Sequence, residues 1–310
     1  MNETNYFYTF SGYEGERSLM YLEMRSFFGC DSQTGFLESR VKIDPSRSPF
    51  MKERISVLSE GTSFDDLLKE IGLLPAFEES FKVKYVKHAG VAKTSEERRA
   101  IEKEIGLRIN GRADLHDPDR IFGVLNLPDG RWILGDYVKS EPIWHHHQQK
   151  PHSYSTALNT RVARAVVNIA VPNPEGIKAI DPCCGIGTVL VEALSMGIDI
   201  VGSDRNPLVL GGTRENIAHF GYACEVKLRD MLDITNHYDV AIIDLPYNLC
   251  SVISPDQQLK MLQSARQFAE KAVIVTVEPI DNIIMQAEFT IVDRAVVTKG
   301  SFIREVIVCK

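Results

Sequence analysis

The segment Asp244-Leu245-Pro246-Tyr247 closes the apolar run Ala241-Ile242-Ile243. A strand that buries those aliphatics should not finish on a charge unless the charge is used. The residue types suit work on a flat amino group. An exocyclic amino nitrogen is nearly planar, with its lone pair delocalised into the ring, and is a poor nucleophile until it is held. The Asp244 carboxylate can accept one amino hydrogen and the backbone carbonyl of Leu245 the other. Pro246 fixes the turn that aims this carbonyl inward, and the Tyr247 ring can stack on a base. Asp244, Leu245, Pro246 and Tyr247 are therefore the candidate catalytic residues. Their chemistry is positioning and electrostatics rather than covalent catalysis.

A second cluster lies upstream, in AIDPCCGIGTVLVEA. Gly185 and Gly187 stand between a predicted strand and a predicted helix, where backbone can turn tightly and approach a ligand at the carboxyl edge of a sheet. A nicotinamide fingerprint needs glycine or alanine at position 190, which is Leu190, and the chain has no G-x-x-x-x-G-K-[ST] phosphate loop. The next predicted strands end in Asp204, placed to accept ribose hydroxyls, and in Asp230, placed to reach an adenine amino group. A ligand with ribose and adenine but no phosphates fits, and S-adenosylmethionine is such a ligand. The expected cofactor-binding set is Asp181, Cys183, Gly185, Gly187, Thr188, Asp204 and Asp230.

Elements that could position these residues follow from periodicity. From residue 155 onward, predicted strands (IKAIDP, DIVGSD, EVKLRD, YDVAIIDLP, KAVIVTVE) alternate with predicted helices, which implies a doubly wound parallel α/β sheet. EFTIVDRAVVT and SFIREVIVC read as a closing antiparallel hairpin. Before residue 140 the pattern is α+β. NYFYTFSG is a strand and 14–28 a helix ending at Gly29. Ser63 with Asp66 caps a second helix, SEERRAIEKEIGLRI reads as a helix capped by its Ser95, and IFGVLNLPDGRWILGDYVK is a hairpin. Residues 141–154, broken by Pro142 and Pro151, read as a linker. Within it, three adjacent histidines, His145 to His147, cannot all face one metal from a regular element and read as an exposed loop.

The net charge of −7 is unevenly spread. Residues 81–139 carry 12 basic and 9 acidic groups, +3, whereas 1–80 and 151–310 are acidic at −6 and −4. FKVKYVKH alternates apolar and basic residues, so Lys82, Lys84 and Lys87 are candidate phosphate contacts. The six cysteines lack any C-x-x-C spacing, which disfavours a zinc site or a disulfide framework and implies reduced thiols. No run of 18 apolar residues occurs, and the first residues have no signal-peptide pattern, so a cytoplasmic protein with no membrane span and no metal is expected.

With these motifs in place, residues 155–310 resemble the methyltransferase domain of the THUMP-containing tRNA guanosine-N2 methyltransferases, a class I S-adenosylmethionine-dependent family with archaeal, eukaryotic and bacterial members. RVARAVVNIA, DPCCGIGTVLVEA and DLPY carry the resemblance. An antiparallel last hairpin is the usual ending of that family's sheet. Residues 55–140 resemble a THUMP RNA-binding domain through SFKVKYVKH, the I-x-x-x-I-G-L-x-I helix and ADLHDPDRIFGVLNL, and 1–54 would be its ferredoxin-like partner. The resemblance implies methyl transfer to an exocyclic amino group of a tRNA base, guanine N2 at position 10 in the family. Adenine-N6 methylation of a nucleic acid, and an RNA-binding protein with an inactive methyltransferase domain, are the alternatives. The family reads D-P-F-C-G-T-G-T and places proline at 245, so Cys183, Ile186 and Leu245 depart from it.

Overall fold

Two units divide the chain, and neither is one continuous stretch of it. The first comprises Met1–Ser11 and Ser32–Glu141, the second Gly12–Asp31 and Pro142–Lys310. The structure is a computed structural model that describes residues 4–88, 90–154, 157–246, 253–300 and 302–310.

The first unit is built on a six-stranded sheet. Its strands are β1 (Tyr6–Phe10), β2 (Phe36–Ser39), β3 (Met51–Gly61), β4 (Phe81–Tyr85), β5 (Arg120–Asn126) and β6 (Trp132–Lys139), in the order β2-β1-β3-β6-β5-β4. Only β4 and β5 pair in parallel. The Pro-Asp-Gly turn closes the β5–β6 hairpin as its residue types demand, with Gly130 at φ 94°. Two helices cover one face. Leu67, Leu68 and Ile71 of α2 (Phe64–Gly72) and Ile105 of α3 (Ser95–Arg108) pack on Phe81, Val83, Phe122 and Val124. Ser63 caps α2 by accepting from Asp66 N, as expected. The cap of α3 is Thr94, not Ser95: Thr94 and Glu97 form a reciprocal capping box, and Ser95 is the first helical residue.

Two sequence boundaries look different in three dimensions. The 54/55 division falls inside β3, which pairs with β1 on one side and β6 on the other. Residues 17–28 form α1 (Arg17–Phe28), ended by Gly29 at φ 66°, and belong to the second unit.

The second unit holds a seven-stranded sheet. Its strands are β7 (Lys178–Asp181), β8 (Asp199–Asp204), β9 (Val226–Leu228), β10 (Tyr238–Asp244), β11 (Ala269–Thr276), β12 (Ile291–Lys299) and β13 (Phe302–Cys309). The order is β12-β13-β11-β10-β7-β8-β9, parallel except for β13, which runs antiparallel to both neighbours. The short α4 (Ile143–His146) precedes the sheet. The longer helices are α5 (Thr160–Ala170), α6 (Thr188–Ser195), α7 (Pro207–His219) and α8 (Pro255–Phe268), with a short α9 (Asp281–Gln286). Ile243, Ile274, Leu262, Phe268 and Ile284 anchor the core between the sheet and α8–α9.

The N-terminal excursion protects the edge of this sheet. Arg25 of α1 forms a two-bond pair with Asp293 of β12, at 2.8 and 2.9 Å. Ser18 Oγ accepts from the backbone N–H of Val296. Glu23 and Asn168, both fully buried, bond at 2.7 Å. An edge strand left bare would template pairing with another chain.

Candidate active site

The carboxyl edge of the parallel sheet gathers four acids. Asp181, Asp204 and Asp244 are the last residues of β7, β8 and β10, and Asp230 follows β9 by two residues. All four line one cavity of about 450 Å³. Cys183, Gly185, Thr188, Leu245 and Pro246 line it as well. Gly187 sits behind the lining and shapes the turn. It adopts φ 78°, and a Cβ there would meet the Thr213 methyl at 2.9 Å. Gly185, at φ 49°, has nothing within 4 Å of a would-be Cβ, which leaves the backbone open for a ligand. Tyr247, the fourth candidate catalytic residue, lies outside the described residues.

Backbone N–H groups hold these acids in place. Asp204 accepts from Gly185 N at 2.8 Å and from Asn206 N at 2.8 Å, so it ties the glycine loop to the end of β8. Asp181 accepts from Cys183 N at 3.2 Å, and Asp230 from Leu232 N at 3.0 Å. Asp244 differs: its Oδ1 is buried and has no hydrogen-bond partner among the described residues. The Oγ1 of Thr188 is in the same condition. Buried polar atoms left unsatisfied are costly, and in a cavity they mark where a ligand would bond.

The electrostatics follow from the crowding. Burial raises the Asp181 carboxyl well above its ordinary value, and the nearby charges of Asp244 and Asp204 raise it further. Burial pushes Asp244 up to about 7, against the opposing pull of the Arg304 guanidinium. Burial likewise raises the Cys183 thiol, with the same acids adding to it, so the thiol stays protonated and inert. Such a cavity favours a cation.

Leu245 has a local explanation. Its N–H donates to Val275 O at 3.0 Å, continuing the β10–β11 ladder by one residue, and its side chain is buried in the core cluster. A proline there would forfeit that bond.

Sequence reasoning missed several residues. Tyr154, Leu158, Leu232, Gln257 and Lys260 line the cavity from segments whose spacing has no motif. The stretch read as an exposed linker is anchored. His147 is 3% exposed, and its Nδ1 bonds Glu192 Oε1 at 2.8 Å, while Arg164 donates to the other carboxylate oxygen at 2.9 Å. His145 and His146 are exposed, as read. Among the described residues, no group of three His, Cys, Asp or Glu side chains is arranged to hold a metal ion, and no helix is long and apolar enough to cross a membrane.

In the first unit, β4 shows the expected alternation, with Phe81, Val83 and Tyr85 buried. The lysines differ among themselves. Lys87 is exposed, and Lys82 Nζ bonds the Leu115 carbonyl at the surface. Lys84 is committed to the protein: it donates to the Tyr137 hydroxyl, lies 3.7 Å from Glu53, and burial lowers its pKa.

The chain is similar to known proteins in sequence and in fold. Residues 147–276 match the family described as RMKL-like, methyltransferase domain. The tRNA (guanine(10)-N2)-dimethyltransferase of Methanothermobacter thermautotrophicus is 28% identical, over 83% of this chain and 79% of its own. The bovine U6 snRNA (guanine-N(2))-methyltransferase THUMPD2 is 27% identical over 63% of this chain and 40% of its own. The crystal structure of TrmN from Thermus thermophilus superposes with a TM-score of 0.51 at 17% identity, covering 99% of both chains, a likeness of fold. The residues that line the cavity thus fall within 147–276, the stretch that is similar to the RMKL-like methyltransferase domain.

Proposed function

We propose that the chain transfers a methyl group from S-adenosylmethionine to an exocyclic amino group of a tRNA base, with guanine N2 the favoured target and position 10 the favoured site. One observation carries the chemistry. Asp244, whose buried Oδ1 has no hydrogen-bond partner among the described residues, lines the same cavity as Asp181, Asp204 and Asp230. The names of the relatives support the choice of guanine N2 and of RNA.

The donor set fits the cofactor. Asp204 and Asp230 would take its ribose and adenine, Gly185 leaves backbone room beside it, and Thr188 Oγ1, which has no partner among the described residues, would supply a hydroxyl. A sulfonium beside Asp181 and Asp244 would counter the burial that raises both carboxyls and would favour their ionised forms. When bound, S-adenosylmethionine supplies an electrophilic methyl group. Asp244 then holds one amino hydrogen of the base and the Leu245 carbonyl the other, which directs the nitrogen lone pair. Pro246 keeps that carbonyl in place, and the Tyr247 side chain would supply a stacking face.

The first unit, Met1–Ser11 with Ser32–Glu141, would bind the tRNA as a THUMP-like region, its ferredoxin-like part sharing β3 with the rest. Lys82 and Lys87 are suited to phosphates, which position an RNA without specifying it. Lys84 contributes instead to the sheet. A cytoplasmic location accords with the free thiols. Mass spectrometry of nucleosides from tRNA of cells with and without the gene tests the reading. Loss of N2-methylguanosine or N2-dimethylguanosine is expected, whereas loss of N6-methyladenosine alone would reassign the target.

A further inference from the structure

Gly185 and Ile186 of the glycine loop form a floor of the cavity, and Tyr154 and Leu158 form part of its wall. One side chain bonds both segments. Asn216 of α7 is fully buried. Its Nδ2 donates to the Ile186 carbonyl at 2.9 Å and to the His152 carbonyl at 3.0 Å, and its Oδ1 accepts from the His152 N–H at 2.9 Å. Both amide donors and the acceptor are therefore used, and all three partners are backbone. His152 stands two residues before Tyr154. On the neighbouring turn of α7, Thr213 Oγ1 bonds the Gly185 carbonyl, whereas the pair between Glu215 and the His152 ring is exposed and no part of the clamp.

We propose that Asn216 is a positioning residue of the cofactor cavity, locking the wall that carries Tyr154 to the Gly185–Gly187 loop. This rests on the reading that the cavity takes S-adenosylmethionine. Amide geometry is what the position requires. A carboxylate of nearly the same shape would keep the bond from His152 N–H but would set an oxygen against the carbonyls of Ile186 and His152. A residue that served only to fill volume would tolerate that exchange. A residue that fixes wall against floor would not, because the cofactor would then have to order the wall itself on binding.

The test is calorimetric titration of S-adenosylmethionine into the full chain, beside single-turnover transfer to unmodified tRNA at saturating cofactor. Asn216→Asp is expected to weaken cofactor binding about tenfold or more and to weaken it more than Asn216→Ala does. Transfer at saturating cofactor should stay within about threefold of wild type, since no reacting atom touches Asn216. His152→Ala, which keeps both backbone bonds, should bind within about twofold of wild type. His152→Pro removes, beyond the ring that His152→Ala already removes, the N–H that donates to Asn216, and it should weaken binding about threefold or more relative to His152→Ala, testing the clamp from the wall should either α7 variant fail to fold. Equal cofactor affinity in wild type, Asn216→Asp and Asn216→Ala would overturn the clamp and leave the cofactor reading standing. Failure of the wild type to bind S-adenosylmethionine would overturn both.

Discussion

Replacing Asp244 with asparagine should stabilise the fold while removing most of the activity. Burial takes the Asp244 carboxyl from 3.8 to about 7. An acid whose folded pKa is raised contributes stability that is complete below its unfolded value and lost as pH rises through the folded one. Above pH 7 the folded wild type therefore holds an ionised carboxylate that would ionise more easily unfolded. Three pK units correspond to about 4 kcal/mol, and relaxation around a half-buried group lowers the expected figure to roughly 2–4 kcal/mol. At pH 5.5 the folded carboxyl is protonated and the unfolded one is not, so the cost falls to at most about 2 kcal/mol. Asparagine keeps the shape and drops the charge. Urea unfolding of the unliganded chain should then show Asp244→Asn more stable than wild type at pH 8, by a margin that shrinks towards pH 5.5. Methyl transfer in single turnover should fall substantially, though less than in Asp244→Ala, because the amide oxygen still accepts a hydrogen bond. A margin that is absent at pH 8, or equal at both pH values, would refute the account of a charge held at cost for function.

Other residues give sharper separations. Asp204→Ala should weaken S-adenosylmethionine by more than one ribose contact, about 1.5–3 kcal/mol by calorimetry, since Asp204 also holds Gly185 N. Glu at both Lys82 and Lys87 should weaken tRNA binding and flatten its salt dependence. Lys84→Glu should instead lower the melting temperature, by setting two carboxylates together at Glu53. Leu245→Pro, although it restores the family's residue, should cost about 3 kcal/mol in urea unfolding, because it removes the bond to Val275 O and a buried side chain. Residues 142–310 expressed without 12–31 should aggregate in sedimentation runs, because β12 loses the Arg25–Asp293 pair and the Ser18 contact; a monodisperse, folded fragment would contradict that.

What could be read before the structure divides by the range of the physics involved. Strand and helix alternation after residue 155 is a local signal, and β7 to β13 fall where periodicity placed them. The glycine loop and the four acids of the carboxyl edge, three at strand ends and Asp230 two residues beyond β9, were legible because a doubly wound sheet converts position in sequence into position on one edge. Long-range choices were not legible. Nothing near His147 announces Glu192, 45 residues away, and the helix at 17–28 has no local mark of packing against β12 rather than near β1. Lys84 reads as surface because alternation assigns a face and not a partner, and the partners, Tyr137 and Glu53, come from other strands. Leu245 is the most instructive case. As a motif position it is a departure from proline that keeps the carbonyl. The structure shows its N–H and its side chain both in use. The departure is then a local solution in which the ladder to β11, rather than a rigid ring, sets where the carbonyl points. Asn216 makes the same point from the opposite direction. It is an ordinary polar residue in the middle of a helix by sequence, and its three bonds reach segments 30 and 64 residues away. Residues that shape such a cavity from a distance need a fold before they can be recognised, as do lining residues such as Tyr154 and Gln257 that belong to no motif, whereas the glycine loop and the acids at the sheet edge can be picked out from type and spacing.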